Sequence, residues 1–492
     1  MSRVKLAWQY AKAAGRIMAG GYDAAKSDRN RGDMPWGSAV SQDEDHFVTG
    51  YDRETIRQKL LHMRRNVPLV KSLCDRMCDF VVGPAGLQVQ ALTDDPAWNN
   101  AAEQWFAAWC RNCDVTGRIP FRRIQRGLVD ARLWAGESFI LFTDDGHLQA
   151  IEAERVRQPV GVPETATQYD GMLLSGPRVT HWYIADRDDQ GTFMKPLGRW
   201  VEAEKVYHYG SPWRFDSIRA LPELAAAVNV ITDIGEISLF TLIQMKKQAQ
   251  IAGVSNTEGA TDLLATRGSS SKGAVTQNGI RAHKLDGAGL ILRGLQGETL
   301  TLASPATPNP NLEGHLVFNI RTACSTIGLP YEVAMMDSTR GNLSQNKAIR
   351  ELFSRVVDTW QLDGTDFVKY AWCYALPFAW KSGAIPKPPV DKNGRSQWDR
   401  IDVQPPPATW ADPQDAAETD TKNLLLGKIT HGSVIRRTGG NRLDVWKQRA
   451  KEEQERLALA KEYGIDPDKI ASVQMSGSAP SGKPAPKPEE TP

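Results

Sequence analysis

Residues Gly328 to Phe353 read GLPYEVAMMDSTRGNLSQNKAIRELF: the end of one helical pattern, a polar loop containing glycine, and the start of a long amphipathic helix. Upstream, Leu312, Leu316, Ile320, Ala323 and Ile327 recur at spacings of four and three, and downstream Ile349, Leu352, Phe353, Val356, Val357 and Trp360 do the same. Two amphipathic helices therefore bracket the loop. Gly328 and Pro330 stop the first, because glycine takes up a C-terminal cap conformation and proline lacks the amide that would continue the helix. Asn342 or Ser344 caps the second by accepting hydrogen bonds from its first amides. A helix-loop-helix within an ordinary globular core has the same pattern.

Working outward, Ala220 to about Ile251 reads as one long helix, with Leu224, Ala227, Ile231, Ile234, Leu242, Met245 and Ala249 in a three-four rhythm. At ~1.5 Å per residue it spans roughly 45 Å. Phe240 and Ile243 fall on its opposite face, so it needs neighbours on both flanks. Copies arranged in a ring supply them, and so does the centre of one large core. Between this helix and the next, residues 255–279 are small and Gly/Ser-rich, while GLILRGLQGETLTL at 289–302 reads as two short strands around Gly294 to Gly297. Two antiparallel helices capped by a small module result.

The N-terminal half mixes both kinds of element. Val81 to Leu92 reads as extended, Ala97 to Cys110 as helical, Phe139 to Ile151 as a hairpin turning at Asp144-Asp145-Gly146, and Val179 to Tyr209 as further strands. The fold class is α+β. Beyond Asn342, Gly364 and Pro377 punctuate the helical pattern, SGAIPKPPVDKNG at 382–394 is a loop, and Asp412-Pro413 opens further helices through Leu424 and from Trp446 to Leu459. From Ser476 the chain is too rich in Gly, Pro and Ser to order itself.

In order along the chain stand Gly21-Tyr22-Asp23-Ala24-Ala25, RRNVPLVKSLCDRMCDFVVGPAGLQVQ from Arg64, FRRIQRGLVDARLWAGESFI from Phe121, GLILRGLQGETLTL from Gly289, the 328–353 stretch and Trp410-Ala411-Asp412-Pro413. This series, over roughly residues 20 to 450, resembles the portal proteins of lambda-like tailed phages. It departs at 211–219, SPWRFDSIR, where the family usually carries Arg-Gly before the first long helix. The resemblance implies a portal fold: an N-terminal arm (1–50), an α+β wing (51–219), a first stem helix (220–252), a small α/β clip (253–310), a second stem helix (311–329), a tunnel-loop region (330–343), a long wing helix (344–385), a helical C-terminal crown (386–470) and a disordered tail (471–492).

It also implies a role and partners. Copies form a homo-oligomeric ring, of twelve in the family, at one capsid vertex of the virion, after assembly in the cytoplasm of a bacterial host. Double-stranded viral DNA is packaged through the ring by the terminase large subunit and later ejected. Major capsid protein, scaffold and head-tail adaptor proteins bind it. The tunnel loop Asp337, Ser338, Thr339, Arg340, Gly341 and Asn342 projects toward the DNA, where Arg340 touches phosphates and Ser338, Thr339 and Asn342 donate neutral hydrogen bonds. On the first stem helix Asn229, Asp233, Glu236, Gln244 and Lys247 share a narrow sector and are candidates for the channel wall; a solvated outer face fits them equally. The other readings are a different ring-forming neck or baseplate protein and a DNA-processing enzyme.

Charge fits a conduit. Lys plus Arg is 60 against 58 for Asp plus Glu in 492 residues, so no global field clamps nucleic acid, and DNA that is not clamped can slide. Residues 1–20 lack the apolar run of a signal peptide, and Leu221 to Met245 is interrupted by Glu223, Asn229, Asp233 and Glu236, which are costly in lipid; a soluble, cytoplasmically made chain is expected.

The sequence carries fragments of catalytic and metal motifs but completes none. The cysteines at 74, 78, 110, 113, 324 and 373 include C-x3-C and C-x2-C, but Cys74 and Cys78 share a helical face with Val70, Met77 and Val81, which favours core thiols over zinc. Gly477 to Lys483 has phosphate-loop spacing but Pro484 follows it, and Asp186, Asp188 and Gly191 open a calcium-like loop that lacks its glutamate. Ser344 and Lys347 open a helix without the companion motifs of an acyl enzyme. Glu137 has no motif-placed partner and is read as an ion-pair or turn residue. No enzyme activity, cofactor or metal is expected.

Overall fold

The computed structural model describes residues 44–192, 197–255, 275–277, 280–284, 290–293, 311–337, 339, 342–406, 413–437 and 442–464. The chain divides into two units, residues 1–49 with 213–218, and residues 50–212 with 219–492. In the first, helix α1 (Glu44–Phe47) holds the 213–218 segment: Glu44 accepts from Trp213 Nε1 at 3.2 Å and from Arg214 Nη1 at 3.4 Å, and Asp45 accepts from the Ile218 amide at 2.8 Å.

The second unit begins with α2 (Gly50–Asn66) and α3 (Pro68–Val81). Strand β1 (Gln88–Ala91) leads to α4 (Pro96–Trp109), which Asp95 caps through the amides of Ala97 and Trp98, and then to α5 (Phe121–Trp134). The stretch from Val81 is therefore not extended throughout: Val81 and Val82 are buried at the close of α3, and only four residues form strand. Strands β2 (Glu137–Phe142) and β3 (Leu148–Glu152) make the expected hairpin. After β4 (Gln168–Tyr169), β5 (Met172–Ser175), β6 (Arg178–Ala185) and β7 (Gly198–Glu202), β8 (Val206–Gly210) returns to pair with β2, giving sheets of order β3-β2-β8 and β4-β5-β6-β7.

The first long helix, α6 (Val228–Gln250), starts later than its apolar rhythm suggests. Residues 220–224 are committed elsewhere: the amides of Glu223 and Leu224 donate to the carbonyls of Arg132 and Leu133, satisfying groups that α5 leaves open at its C-terminal end. Strands β9 (Ile251–Ser255), β10 (Val275–Gln277), β11 (Ile280–Lys284) and β12 (Leu290–Arg293) form a sheet of order β10-β11-β12-β9, with β9 parallel to β12. The second strand expected within 289–302 lies outside the described residues. Helix α7 (Leu312–Ser325) then packs against α6.

Gly328 ends that run as its sequence predicts, at φ +67°, with its amide bonded to the Ser325 carbonyl and that of Leu329 to Cys324. The polar loop is shorter than expected, because Tyr331–Met335 closes a helical turn, α8, ended by Met336 at φ +53°. Helix α9 (Leu343–Lys381) follows. It runs through both residues expected to interrupt it: a Cβ at Gly364 would come within 2.9 Å of Leu87, so glycine there serves close packing, and Pro377 is carried inside the helix between the fully buried Leu376 and Ala379. Its 39 residues extend ~58 Å.

That length joins two cores. Phe353, Val357 and Trp360 pack with α3, the start of α6 and the end of α7, while Phe367, Val368, Ala371, Trp372 and Ala375 pack with α4, α5 and the β2-β3 hairpin. Strand β13 (Ile401–Gln404), which has no clear period, returns to pair antiparallel with β1. Helices α10 (Pro413–Leu425), α11 (His431–Arg437) and α12 (Arg442–Tyr463) close the described chain; α11 was not evident from sequence spacing.

Candidate functional site

The helix pair α6 and α7 and the loop before α9 carry the residues singled out for the channel. Asn229, Asp233, Glu236 and Lys247 are exposed on α6 and Gln244 is half-buried. Their neighbours are unusual for a chain on its own. Leu239, Phe240 and Leu242 are 53%, 64% and 46% exposed, and Ile243 and Met245 are also exposed. Residues Ala225–Gln248 are long and apolar enough to cross a membrane, yet only 11% of the apolar window is buried.

In the loop, Asp337 accepts from the Thr339 amide at 3.0 Å and from its hydroxyl at 2.6 Å, forming a small local turn. Asn342 is the N-cap of α9, its side chain accepting from the Gln345 amide at 2.8 Å, so the open choice between Asn342 and Ser344 falls to Asn342. Ser338, Arg340 and Gly341 lie outside the described residues.

At the root of α6 lies a buried ionic cluster that spacing alone did not assemble. Glu137, fully buried, accepts from Arg57 Nη2 at 2.5 Å, Arg219 Nε at 2.7 Å and the Ala220 amide at 3.1 Å, and its Oε2 lies 2.7 Å from His208 Nε2. Arg219 also pairs with Asp170, which receives Arg53 Nε at 2.9 Å. The His208 ring stacks on Phe139 at 4.7 Å. Burial alone would raise the Glu137 carboxyl, but Arg219, the His208 hydrogen bond and Arg57 hold it well below the usual carboxylate range. Arg57, in contrast, is pulled below the usual guanidinium value by burial despite Glu137. Three guanidiniums face two carboxylates in the cluster, so Glu137 is over-compensated, while Arg57 has Arg219 and Arg53 beside it as well as Glu137.

This chemistry is structural. A carboxylate with every lone pair engaged and its pKa depressed is a poor proton acceptor for a substrate, and the ion-pair reading of Glu137 holds. A second link, Arg132, donates to Glu223 at 3.0 Å and to Asp363 at 2.5 Å and lies 4.0 Å over the Trp360 ring, tying α5 and α9 to the approach of α6. The one sequence hint of the cluster was negative: Arg219 ends the SPWRFDSIR segment that departs from the family pattern.

The thiols also resolve as core. Cys74 and Cys78 are buried in α3, and burial pushes the Cys113 and Cys324 thiols up to about 12. Among the described residues no group of three or more His, Cys, Asp or Glu is placed to hold a metal. Asp188 folds the 186–192 segment into a turn by accepting from the amides of Gln190 and Thr192. The 477–483 phosphate-loop spacing lies outside the described residues.

Residues 33–361 match the family described as phage portal protein, lambda family. Among solved structures, the neck of the native GTA particle computed with C12 symmetry contains a similar chain, 12% identical over 77% of this chain and 92% of that one, with a TM-score of 0.41. The neck of the empty GTA particle computed with C6 symmetry gives 10% identity, 77% and 93% coverage and a TM-score of 0.40. The virion of the native gene transfer agent particle gives 11%, 82% and 96%, and 0.40. No curated protein matches the chain. The family match spans most of the sequence and includes both helices of the α6–α7 pair and the loop before α9: the chain belongs to the lambda family of phage portal proteins.

Proposed function

We propose that copies of this portal protein close into a ring, twelve by the family's pattern, in which α6 and α7 of each copy stand against those of the next and wall an axial channel for double-stranded DNA. The observation that carries the reading is the bare apolar surface that α6 presents on more than one face. Leu239, Phe240, Leu242, Ile243 and Met245 lie exposed on one helix of a chain with two well-filled cores. Burying them against a neighbour is worth on the order of 5 kcal/mol per copy. Lipid is the poorer partner, because Asp233 and Glu236 are exposed within the same span.

In this reading residues 51–219 are the wing, 220–252 and 311–329 the stem, 253–310 the clip, 344–385 the long wing helix and 386–470 the crown. The 337–342 loop reaches the DNA through Arg340, and the polar sector Asn229, Asp233, Glu236, Gln244 and Lys247 faces the channel, where acidic groups discourage phosphate from adhering. The terminase large subunit docks on the clip during filling and head-tail adaptors dock there afterwards, while capsid protein and scaffold meet the outer body.

Light scattering and negative-stain microscopy of the purified chain test the ring. Closed rings with an axial hole are expected. A single copy that stays monodisperse at high concentration, with no central hole in any assembly, overturns the proposal.

A further inference from the structure

The chain is close to neutral, but one segment is not. Between Gln104 and Val129 the ionisable side chains other than cysteines are Arg111, Asp114, Arg118, Arg122, Arg123 and Arg126. Asp114 is buried and turned inward, bonded to the Thr116 amide and hydroxyl, and Arg126 is paired with Asp79 at 2.7 Å. The other four arginines are exposed and form no ion pair with any described residue.

They are held together. The loop from Cys110 to Phe121 is closed by the Phe121 amide donating to the Cys110 carbonyl at 2.7 Å, tied to the hairpin by the Val115 amide donating to Leu148 at 3.0 Å, and tightened by the Gly117 amide donating to Asp114 at 2.8 Å. Arg111 and Arg118 therefore sit on the same short, braced loop from which α5 springs with Arg122 and Arg123 in its first turn. That turn carries no acidic residue and no side-chain cap, so the positive end of the helix adds to the four guanidiniums.

We propose that this loop and helix start, through Arg111, Arg118, Arg122 and Arg123, bind the phosphate backbone of duplex DNA without regard to sequence, using residues distinct from those of the channel loop. Guanidinium forks match phosphate oxygens in pairs. The buried centre of a protein interface is depleted of charge and enriched in aromatic residues. Here the exposed apolar residues are only Val115 and Ile119, and the nearby Trp105 and Trp109 are packed against the core. The contact is a surface one that needs no pocket, and its strength is set by counterion release. It falls off steeply as salt rises, which distinguishes it from a conduit wall that lets DNA slide.

The test is binding of a fluorescent 30-base-pair duplex to the full-length assembled protein over a salt series. Each phosphate contact contributes about 0.9 to the slope of log affinity against log salt, so replacing all four arginines by glutamine should flatten it by up to about 3.6. Between 50 and 200 mM salt the unaltered protein then loses roughly a hundredfold more affinity than the variant. Arg123→Gln alone should remove about one contact's worth, which keeps the test valid if the fourfold variant folds poorly, and a fourfold change to lysine should restore most of the slope. An unchanged slope in both glutamine variants overturns the proposal. So does unchanged DNA binding with lost binding of polyglutamate, which would assign the face to an acidic polypeptide. Arg340→Ala, measured in parallel, reports the channel loop separately, so the two readings fail independently.

Discussion

Arg219 and Glu137, both fully buried, meet at 2.6 Å one residue before the chain turns toward its first long helix, and the next amide, Ala220, donates to the other oxygen of the same carboxylate. The approach to α6 is thus fastened to β2 by a charge-assisted pair and a backbone hydrogen bond.

Removing one member of that cluster leaves unpaired charge in the interior. Glu137→Gln, which sets three guanidiniums against one carboxylate, should lower stability by about 3–5 kcal/mol. Urea unfolding of the purified chain measures it, and a midpoint within error of the unaltered protein would show that the cluster contributes nothing net.

The same carboxyl sets a pH dependence with a definite sign. Its folded pKa is depressed from the ordinary 4.5, so its contribution is complete above that value and is lost as pH falls from 4.5 toward the folded value. Stability should hold from neutral pH down to about 5 as far as this group is concerned and then decline. The slope between about pH 5 and 3 should be shallower in Glu137→Gln, and equal slopes would place the acid sensitivity in other carboxylates.

Gly136 precedes the cluster at φ +89°, and a Cβ built there would lie 2.5 Å from the Leu221 carbonyl carbon and 2.7 Å from the Ala220 oxygen. Those are backbone atoms and cannot swing aside. Gly136→Ala should therefore cost about 2 kcal/mol or more, through both the left-handed backbone and the clash. Thermal denaturation and the soluble yield of the variant give the answer.

Asn342 caps α9. Asn342→Ala should cost about 1 kcal/mol, and Asn342→Asp should restore most of it, because aspartate accepts the same amide. Hydrogen exchange at the Gln345 amide reads the cap directly; protection unchanged in the alanine variant would mean that the helix start is held by something else.

The bare apolar surface of α6 gives a prediction about assembly. Leu239→Asp should leave the fold of the single copy intact, since the side chain is 53% exposed, while preventing ring closure. Rings of normal appearance in the variant would move the subunit interface elsewhere.

Much of this was legible in the residues. Asp144-Asp145-Gly146 marked the hairpin, Gly328 the end of α7, and the three-four rhythm the existence of both long helices, because each depends on local backbone preference or a face repeated every turn. What escaped depended on partners distant in sequence. Residues 220–224 share the apolar rhythm of α6 but are claimed by open carbonyls of α5, Gly364 reads as a breaker but makes room for Leu87, and β13 has too few residues to show a period before it finds β1. The cluster around Glu137 draws on Arg53, Arg57, Asp170, His208 and Arg219, which no spacing rule connects: β2 pairing with β8 brings in His208, and the approach of α2 and of the turn between β4 and β5 brings in Arg53, Arg57 and Asp170.

Helix α9 begins at the cap beside the loop and continues without a break past Pro377, with Phe353 to Trp360 set in one core and Phe367 to Ala379 in the other. It acts as a strut. A displacement of the segment in one core is carried along the helix to the other rather than absorbed by a joint, so the two cores are coupled mechanically.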